Sequence, residues 1–266
     1  MGIHRGAYTK GVDSMSKKKR ERNHGEGDDS PAASRMTGFY WLLGAVAVLG
    51  MSIVGYAVVS RPGNSTVSQP IGLVGLDDPG TLMSLARGVV KGNAQAPITI
   101  IEFADFQCPV CGEFERLVKP FIEAEFVNTG RAKFMFYDFP LSMHPNAFLA
   151  ARAARCADDQ GEFWEYHDHL FRNQSQWSPM PSPATMFEDY AESVGLESDV
   201  FGRCLRSDQH ADVVTANMAL ATQLQAPGTP TILVAQGRGV GRRVPHTIEA
   251  IREAVAALEA GSAGPR

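Results

Sequence analysis

Residues 98–111 read Ile98-Thr99-Ile100-Ile101-Glu102-Phe103-Ala104-Asp105-Phe106-Gln107-Cys108-Pro109-Val110-Cys111. The first six are mostly apolar, β-branched or aromatic, as in a buried strand. After Cys111 the apolar residues Phe114, Leu117, Val118, Phe121, Ile122 and Phe126 recur at helical spacing. The stretch is thus a strand that ends in a CxxC pair and opens a helix. That order puts the first sulfur at a helix N-terminus, where unpaired N–H groups and the helix dipole favour a thiolate. A stabilised thiolate leaves readily, so a disulfide made with it is easily passed on. The helix is expected over residues 108–128, bent at Pro120, which has no N–H for the ladder.

Working outward, a second strand is expected at 132–138. Helical patterns follow at 145–157, 162–171, 183–194, 200–206 and 211–224, with Pro145 and Pro183 in first turns. A third strand at 231–235 leads through a Gly-rich turn to a fourth at 240–244. Thr247 caps a final amphipathic helix through residue 258. This order predicts an α/β layer fold with a helical block inserted at about 143–225. The folded domain is expected over 81–260, with 261–266 a short tail. Residues 61–80, rich in Gly, Pro and Ser, read as a linker, and the polar, charged residues 1–35 as a disordered tail.

The 266 residues carry a formal charge of −4. Residues 1–35 contribute +3, so the remainder is −7. A mildly acidic body argues against a nucleic-acid binder. Residues 36–60 hold no charge, and the 21-residue apolar core 39–59 is long enough to span a bilayer. Phe39, Tyr40 and Trp41 lie at one end of it and Tyr56 near the other, where interfacial aromatics belong. The run exceeds a signal-peptide core, and no A-x-A site follows it. The basic run Lys17-Lys18-Lys19-Arg20 precedes it. The expectation is one uncleaved transmembrane anchor at 36–60, with the N-terminus cytoplasmic and the body extracytoplasmic. The four cysteines, all beyond that segment, suit an oxidising compartment.

A bare CxxC is half of a zinc site, a structural disulfide or a redox pair. Zinc is disfavoured, since Cys156 and Cys204 stand alone, 45 and 48 residues from their neighbours. His167-Asp168-His169 is an H-x-H, but on a helix its imidazoles diverge by about 200°. No metal or cofactor is expected. Gly228-Thr229-Pro230-Thr231 precedes the third strand, and its proline marks a strand start or a turn.

Together these motifs carry a family resemblance. Residues 101–111, Gly228–Thr231, the stretch Gln160-Gly161-Glu162-Phe163-Trp164 and the closing helix resemble the DsbA-like thioredoxin-fold thiol:disulfide oxidoreductases, over roughly 90–260. The resemblance implies a thioredoxin fold with an inserted helical block. It implies that Cys108 is the exposed attacking thiol and Cys111 the buried resolving thiol. Thr229 and Pro230 would form a cis peptide facing them. Glu102 and Lys133 would be the acid and lysine that move protons beneath the disulfide; otherwise they are solvent-facing strand residues. Cys156 and Cys204 are expected to pair as a structural disulfide, a bridge some members carry; the alternative is two separate buried thiols. Val110 stands where the best-known oxidase has a histidine, so a milder oxidant is expected.

The expected activity is disulfide donation to secreted or envelope proteins. The resemblance implies reoxidation by a quinone-linked membrane partner of the DsbB or vitamin K epoxide reductase type. Two readings remain beside it. One is a reductase or isomerase kept reduced by a membrane electron donor. The other is a tethered binding or metal-carrier module, whose Cys108 would keep an ordinary thiol pKa near 8.5.

Overall fold

The computed structural model describes residues 39–51, 66–237, 239 and 241–262. Residues 39–51 form a helix, α1, with Phe39, Tyr40 and Trp41 exposed. Residues 36–38 and 52–60 of the expected anchor lie outside the described residues. Among the described residues no helix is long and apolar enough to cross a membrane.

The second unit, Pro62–Arg266, is built on a five-stranded sheet. Its strands are β1 (Val89–Lys91), β2 (Ile98–Ala104), β3 (Ala132–Asp138), β4 (Thr231–Gln236) and β5 (Arg242–Val244). They lie in the order β1-β3-β2-β4-β5. β2 and β3 are parallel, in the register Ile98 to Ala132 through Ala104 to Asp138. The other pairs are antiparallel. β2 is central, which explains its nearly unbroken apolar run: both its faces are covered.

The CxxC helix follows β2 in three pieces. These are α3 (Pro109–Leu117), α4 (Lys119–Ile122) and a π-helical turn (Glu123–Val127). The expected bend is a break at Val118, because Pro120 has no N–H to offer the carbonyl of Arg116. On this side of the sheet Ile98 and Ile100 pack with Phe114, Ile122 and Phe126, and with Ile251 and Val255 of the last helix, α11 (Ile248–Ser262). The opposite side carries α2 (Pro79–Leu85) and α10 (Ala211–Gln223), packed on Phe103 and Leu233.

The inserted block lies between β3 and β4 as α5 (Ala147–Asp158), α6 (Phe163–Arg172), α7 (Gln174–Trp177), α8 (Ala184–Ser193), α9 (Ser198–Leu205) and α10. Its core includes Leu170, Trp177, Phe187, Phe201 and Leu205. α5 starts two residues after Pro145, because Asn146 turns its N–H to Gln107 Oε1 at 2.7 Å and its side-chain amide to Met180 O. The short elements β1, α2 and α7 were not expected.

Residues 67–76, expected as free linker, are tied to the block. The carbonyl of Val67 accepts from Arg152, Ile71 N–H donates to Thr215 Oγ1, and the Leu76 carbonyl accepts from Gln223. Arg152 is fully buried and donates its other N–H groups to the carbonyls of Cys204, Leu205, Ser207 and Gln209, so its guanidinium caps the end of α9 and the turn after it.

Cys156 of α5 and Cys204 of α9 are joined as a disulfide with a sequence separation of 48. Closing a loop of that size restricts the unfolded chain by about 4 kcal/mol in the chain-entropy model. Replacing both cysteines by alanine is therefore expected to lower the unfolding free energy by roughly 2–4 kcal/mol. Urea denaturation of the two proteins checks this, and an unchanged midpoint would contradict it.

Candidate active site

The loop Asp105–Cys108 is fastened before the helix begins. Asp105 is buried; its Oδ1 accepts from Gln107 N–H at 2.7 Å, and its Oδ2 meets Leu141 N–H at 2.8 Å and His144 Nδ1 at 2.7 Å. Gln107 donates to the carbonyl of Ser178, and Gln174 Nε2 donates to the carbonyls of Phe106 and Cys108 at 2.7 and 2.8 Å. Gln174 can come this close because its neighbour is Gly112: a Cβ there would stand 2.7 Å from Gln174 Oε1. The result is an extended Cys108 as the N-cap of α3, with Pro109 in the first turn.

Four expected site residues meet here. Cys108 is 6% exposed and Cys111 fully buried, so Cys108 is more covered than the expected open thiol, while Val110 is 42% exposed. The Thr229–Pro230 peptide is cis, and the Cys108 thiol reaches the Thr229 carbonyl at 3.5 Å. The Thr229 hydroxyl is buried beside the same sulfur. The Cys108 thiol is pulled down to about 5. The largest cause is the hydrogen bond from the Cys111 thiol; burial opposes it, and the Thr229 hydroxyl and the N–H groups of Cys111 and Val110 add to it. Cys111 moves the other way, well above the ordinary thiol range, through burial and its bond to Cys108.

Glu102 sits on the α3 side of β2 between Ile100 and Ala104 and is completely buried, not solvent-facing. Burial holds its carboxyl well above the ordinary range, and the neighbouring Glu115 adds to the effect. Lys133 does not join it. It pairs with Thr99 at the opposite end of the strands from the cysteines, and its ammonium donates to the Ala94 carbonyl at 2.7 Å. The β2–β3 register places it there.

The buried lysine near Glu102 is Lys119. Its ammonium is 2.8 Å from Glu115 and 2.6 Å from Asp168, and Asp168 also meets His167 Nδ1 at 2.9 Å. Burial alone would lower the Lys119 pKa, but the two carboxylates hold it above the ordinary range. Glu115, His167 and Asp168 are grouped closely enough to hold a metal ion. The Lys119 ammonium already provides the cation between the two carboxylates. The two histidines of the H-x-H part company: His167 lies among Phe106 and Phe136, His169 against Tyr190. Glu115 and Lys119 had a legible signal, being charges at i+4 and i+8 from Cys111 on the buried side of its helix. Gln174 and Thr229's hydroxyl contact had none.

Comparison with known proteins agrees with this geometry. A family model described as thioredoxin matches residues 84–257. The Na(+)/H(+) antiporter NhaA 3 of Salinispora tropica is 35% identical over 170 residues, covering 64% of this chain and 24% of that one. The chain thus spans about a quarter of the length of that relative. Disulfide bond formation protein D of Bacillus subtilis is 29% identical over 149 residues, covering 54% of this chain and 66% of that one. The crystal structure of oxidised BdbD from Bacillus subtilis superposes with a TM-score of 0.57 at 24% identity, over 65% of this chain and 95% of that one.

Absorbance of the Cys108 thiolate should titrate with a midpoint near 5, and Cys111 should stay protonated beyond pH 9. A folded-state pKa below the unfolded one stabilises the reduced protein fully above the unfolded value near 9. That advantage shrinks as pH falls toward about 5. The unfolding free energy of the reduced form, minus that of the oxidised form, should therefore rise from pH 5 to pH 9. A flat difference would contradict the assignment.

Proposed function

The chain belongs to the thioredoxin family, and on that premise we propose that it is an extracytoplasmic thiol:disulfide oxidoreductase that donates its Cys108–Cys111 disulfide to cysteine-containing secreted or envelope proteins. The observation that carries the reading is the opposed displacement of the two thiols, Cys108 down to about 5 and Cys111 upward. A binding module has no need of that asymmetry. A donor does, since each sulfur has a different task.

A substrate thiolate attacks Cys108 Sγ. The S–S bond breaks, its electron pair goes to Cys111 Sγ, and that sulfur takes a proton. A second substrate thiolate then attacks the substrate sulfur of the mixed disulfide, and Cys108 leaves as a thiolate. The substrate is oxidised by two electrons and the Cys108–Cys111 pair is reduced. The low proton affinity of Cys108 makes this departure easy. The Val110 side chain offers it neither charge nor a hydrogen bond; the Cys111 thiol, the Thr229 hydroxyl and the N–H groups of the first helical turn supply the hydrogen bonds.

The uncharged run 36–60 supports single-pass anchorage, with this domain on the extracytoplasmic side. Anchorage raises the effective concentration of a membrane partner. Reoxidation is assigned to a quinone-linked membrane protein of the DsbB or vitamin K epoxide reductase type. Its disulfide accepts the two electrons.

Two measurements test the proposal. The purified oxidised domain should oxidise a reduced, unfolded two-cysteine protein, and C108S and C111S should each abolish this; offered the oxidised form of that protein, C111S should trap a mixed disulfide through Cys108 as the second substrate sulfur leaves as a thiolate. Acid quench and mass-tagging in cells should find the pair mostly oxidised. A mostly reduced pair would overturn the donor direction in favour of a reductase or isomerase.

A further inference from the structure

Below Cys111, four buried atoms without a hydrogen-bond partner stand in succession: Glu102 Oε1 and Oε2, Glu115 Oε1 and His167 Nε2. A buried polar atom without a partner costs free energy, so a run of them in one place asks for a reason. The Glu102 carboxyl neighbours Glu115, and neither carboxylate can donate unless it holds a proton. Glu115 Oε1 is 3.6 Å from His167 Nε2. The other imidazole nitrogen, Nδ1, is 2.9 Å from Asp168 Oδ1. We assign Nδ1 as the donor, because the ionised Asp168 only accepts.

These groups connect the buried pair to water. Asp168 is 34% exposed and lines an open pocket of about 250 Å³ with Glu115, Lys119, Arg116 and Arg172. His167 itself is fully buried, boxed by Phe106, Phe136, Phe163, Trp164 and Phe171 with ring centroids 4.8–5.7 Å away. Among the described residues its ion-pair partners are Glu115 on one side and Asp168 on the other. Lys119 closes the ring by binding both carboxylates. Other charges face this ring from Glu123, 3.5 Å from Lys119, and from Lys91 of β1, which pairs with Glu123 at 2.7 Å.

We propose that Glu115, His167 and Asp168 form the proton path between Glu102 and the solvent pocket, with Lys119 as the residue that fixes their geometry. It rests on the exchange chemistry assigned above and adds how protons reach the buried sulfur. When the pair is reoxidised, Cys108 is in a mixed disulfide and Cys111 must lose its proton. Glu102 takes that proton after passing its own to Glu115. Glu115 gives one to His167 Nε2, and Nδ1–H gives one to Asp168 and the pocket water. Cys111 Sγ then attacks Cys108 Sγ, the internal S–S bond forms, and the partner's thiolate leaves with the electron pair. During reduction by substrate the protons run inward. Burial keeps Glu102 and His167 neutral, so charge is carried only in transit. Asp168 is held ionised below the ordinary carboxylate range: burial opposes this, while His167 and Lys119 outweigh it.

The test is stopped-flow reduction and reoxidation of the full chain with dithiothreitol and its oxidised form, across pH and in D2O. H167Q and D168N should slow both half-reactions by roughly tenfold or more, the usual minimum for a lost proton-transfer group being larger still. The solvent isotope effect should rise with the slowing, while the Cys108 titration midpoint stays in place. A merely structural role would move the midpoint or the melting temperature and leave the isotope effect alone. If H167Q does not fold, D168N, at a partly exposed position, decides. Wild-type rates and isotope effects in a folded D168N would overturn the path while leaving the proposed function intact. Absence of any exchange by wild type would overturn both.

Discussion

The negative charge on Cys108 is what the active-site end of the fold is arranged to hold. It sits where the first turn of α3 has N–H groups to spare, and a thiolate there needs no cationic side chain. The loop before it is pinned by Asp105, Gln107 and Gln174, each bonded to a different part of the chain. Such pinning matters because a helix N-terminus acts over about one turn. A loop free to drift by an ångström or two would lose most of the effect. Gly112 belongs to the same constraint, since it lets Gln174 reach the Cys108 carbonyl across the helix.

The stabilisation has a counterpart one turn deeper. Cys111 donates to the Cys108 thiolate and so keeps its proton, and burial holds it there. One proton shared between two sulfurs is what separates their pKa values. The same arrangement makes the resolving thiol a poor nucleophile until that proton has somewhere to go. A carboxyl at Glu102 answers this only if it is itself relieved, and in an apolar setting that relief must come through neighbours rather than water.

Much of this was legible in the sequence where local pattern decides. The strand, the CxxC pair and the helix were readable because apolar period and spacing are local properties. The Thr229-Pro230 pair pointed to the right place through its position before a strand. Lys133 was misplaced because only the β2–β3 register tells which end of the sheet a residue occupies. β1 is three residues long, too short to show a period. The Gly- and Pro-rich segment 67–76 gave no sign that Arg152 and Thr215 would bind it, since such capture depends on residues far along the chain. His167 carried a faint signal: it shares a helical face with Phe163, Leu170 and Phe171, where a histidine is out of place.

That last residue changes how the inserted block is to be understood. Read as sequence, it is a run of helices inserted into an α/β layer fold. In the structure the same packing that buries Leu170 and Trp177 also carries Gln174 to the Cys108 carbonyl and sets His167 and Asp168 against Glu115 and Lys119. α6 and α7 therefore supply polar groups around the cysteine pair, Gln174 to the Cys108 carbonyl and His167 and Asp168 to the Glu115–Lys119 pair. A disulfide at Cys156–Cys204 and the guanidinium of Arg152 hold α5 and α9 together behind them. Rigidity in that distant half of the block thus supports the half that touches the chemistry, because packed interiors pass small displacements on rather than absorbing them.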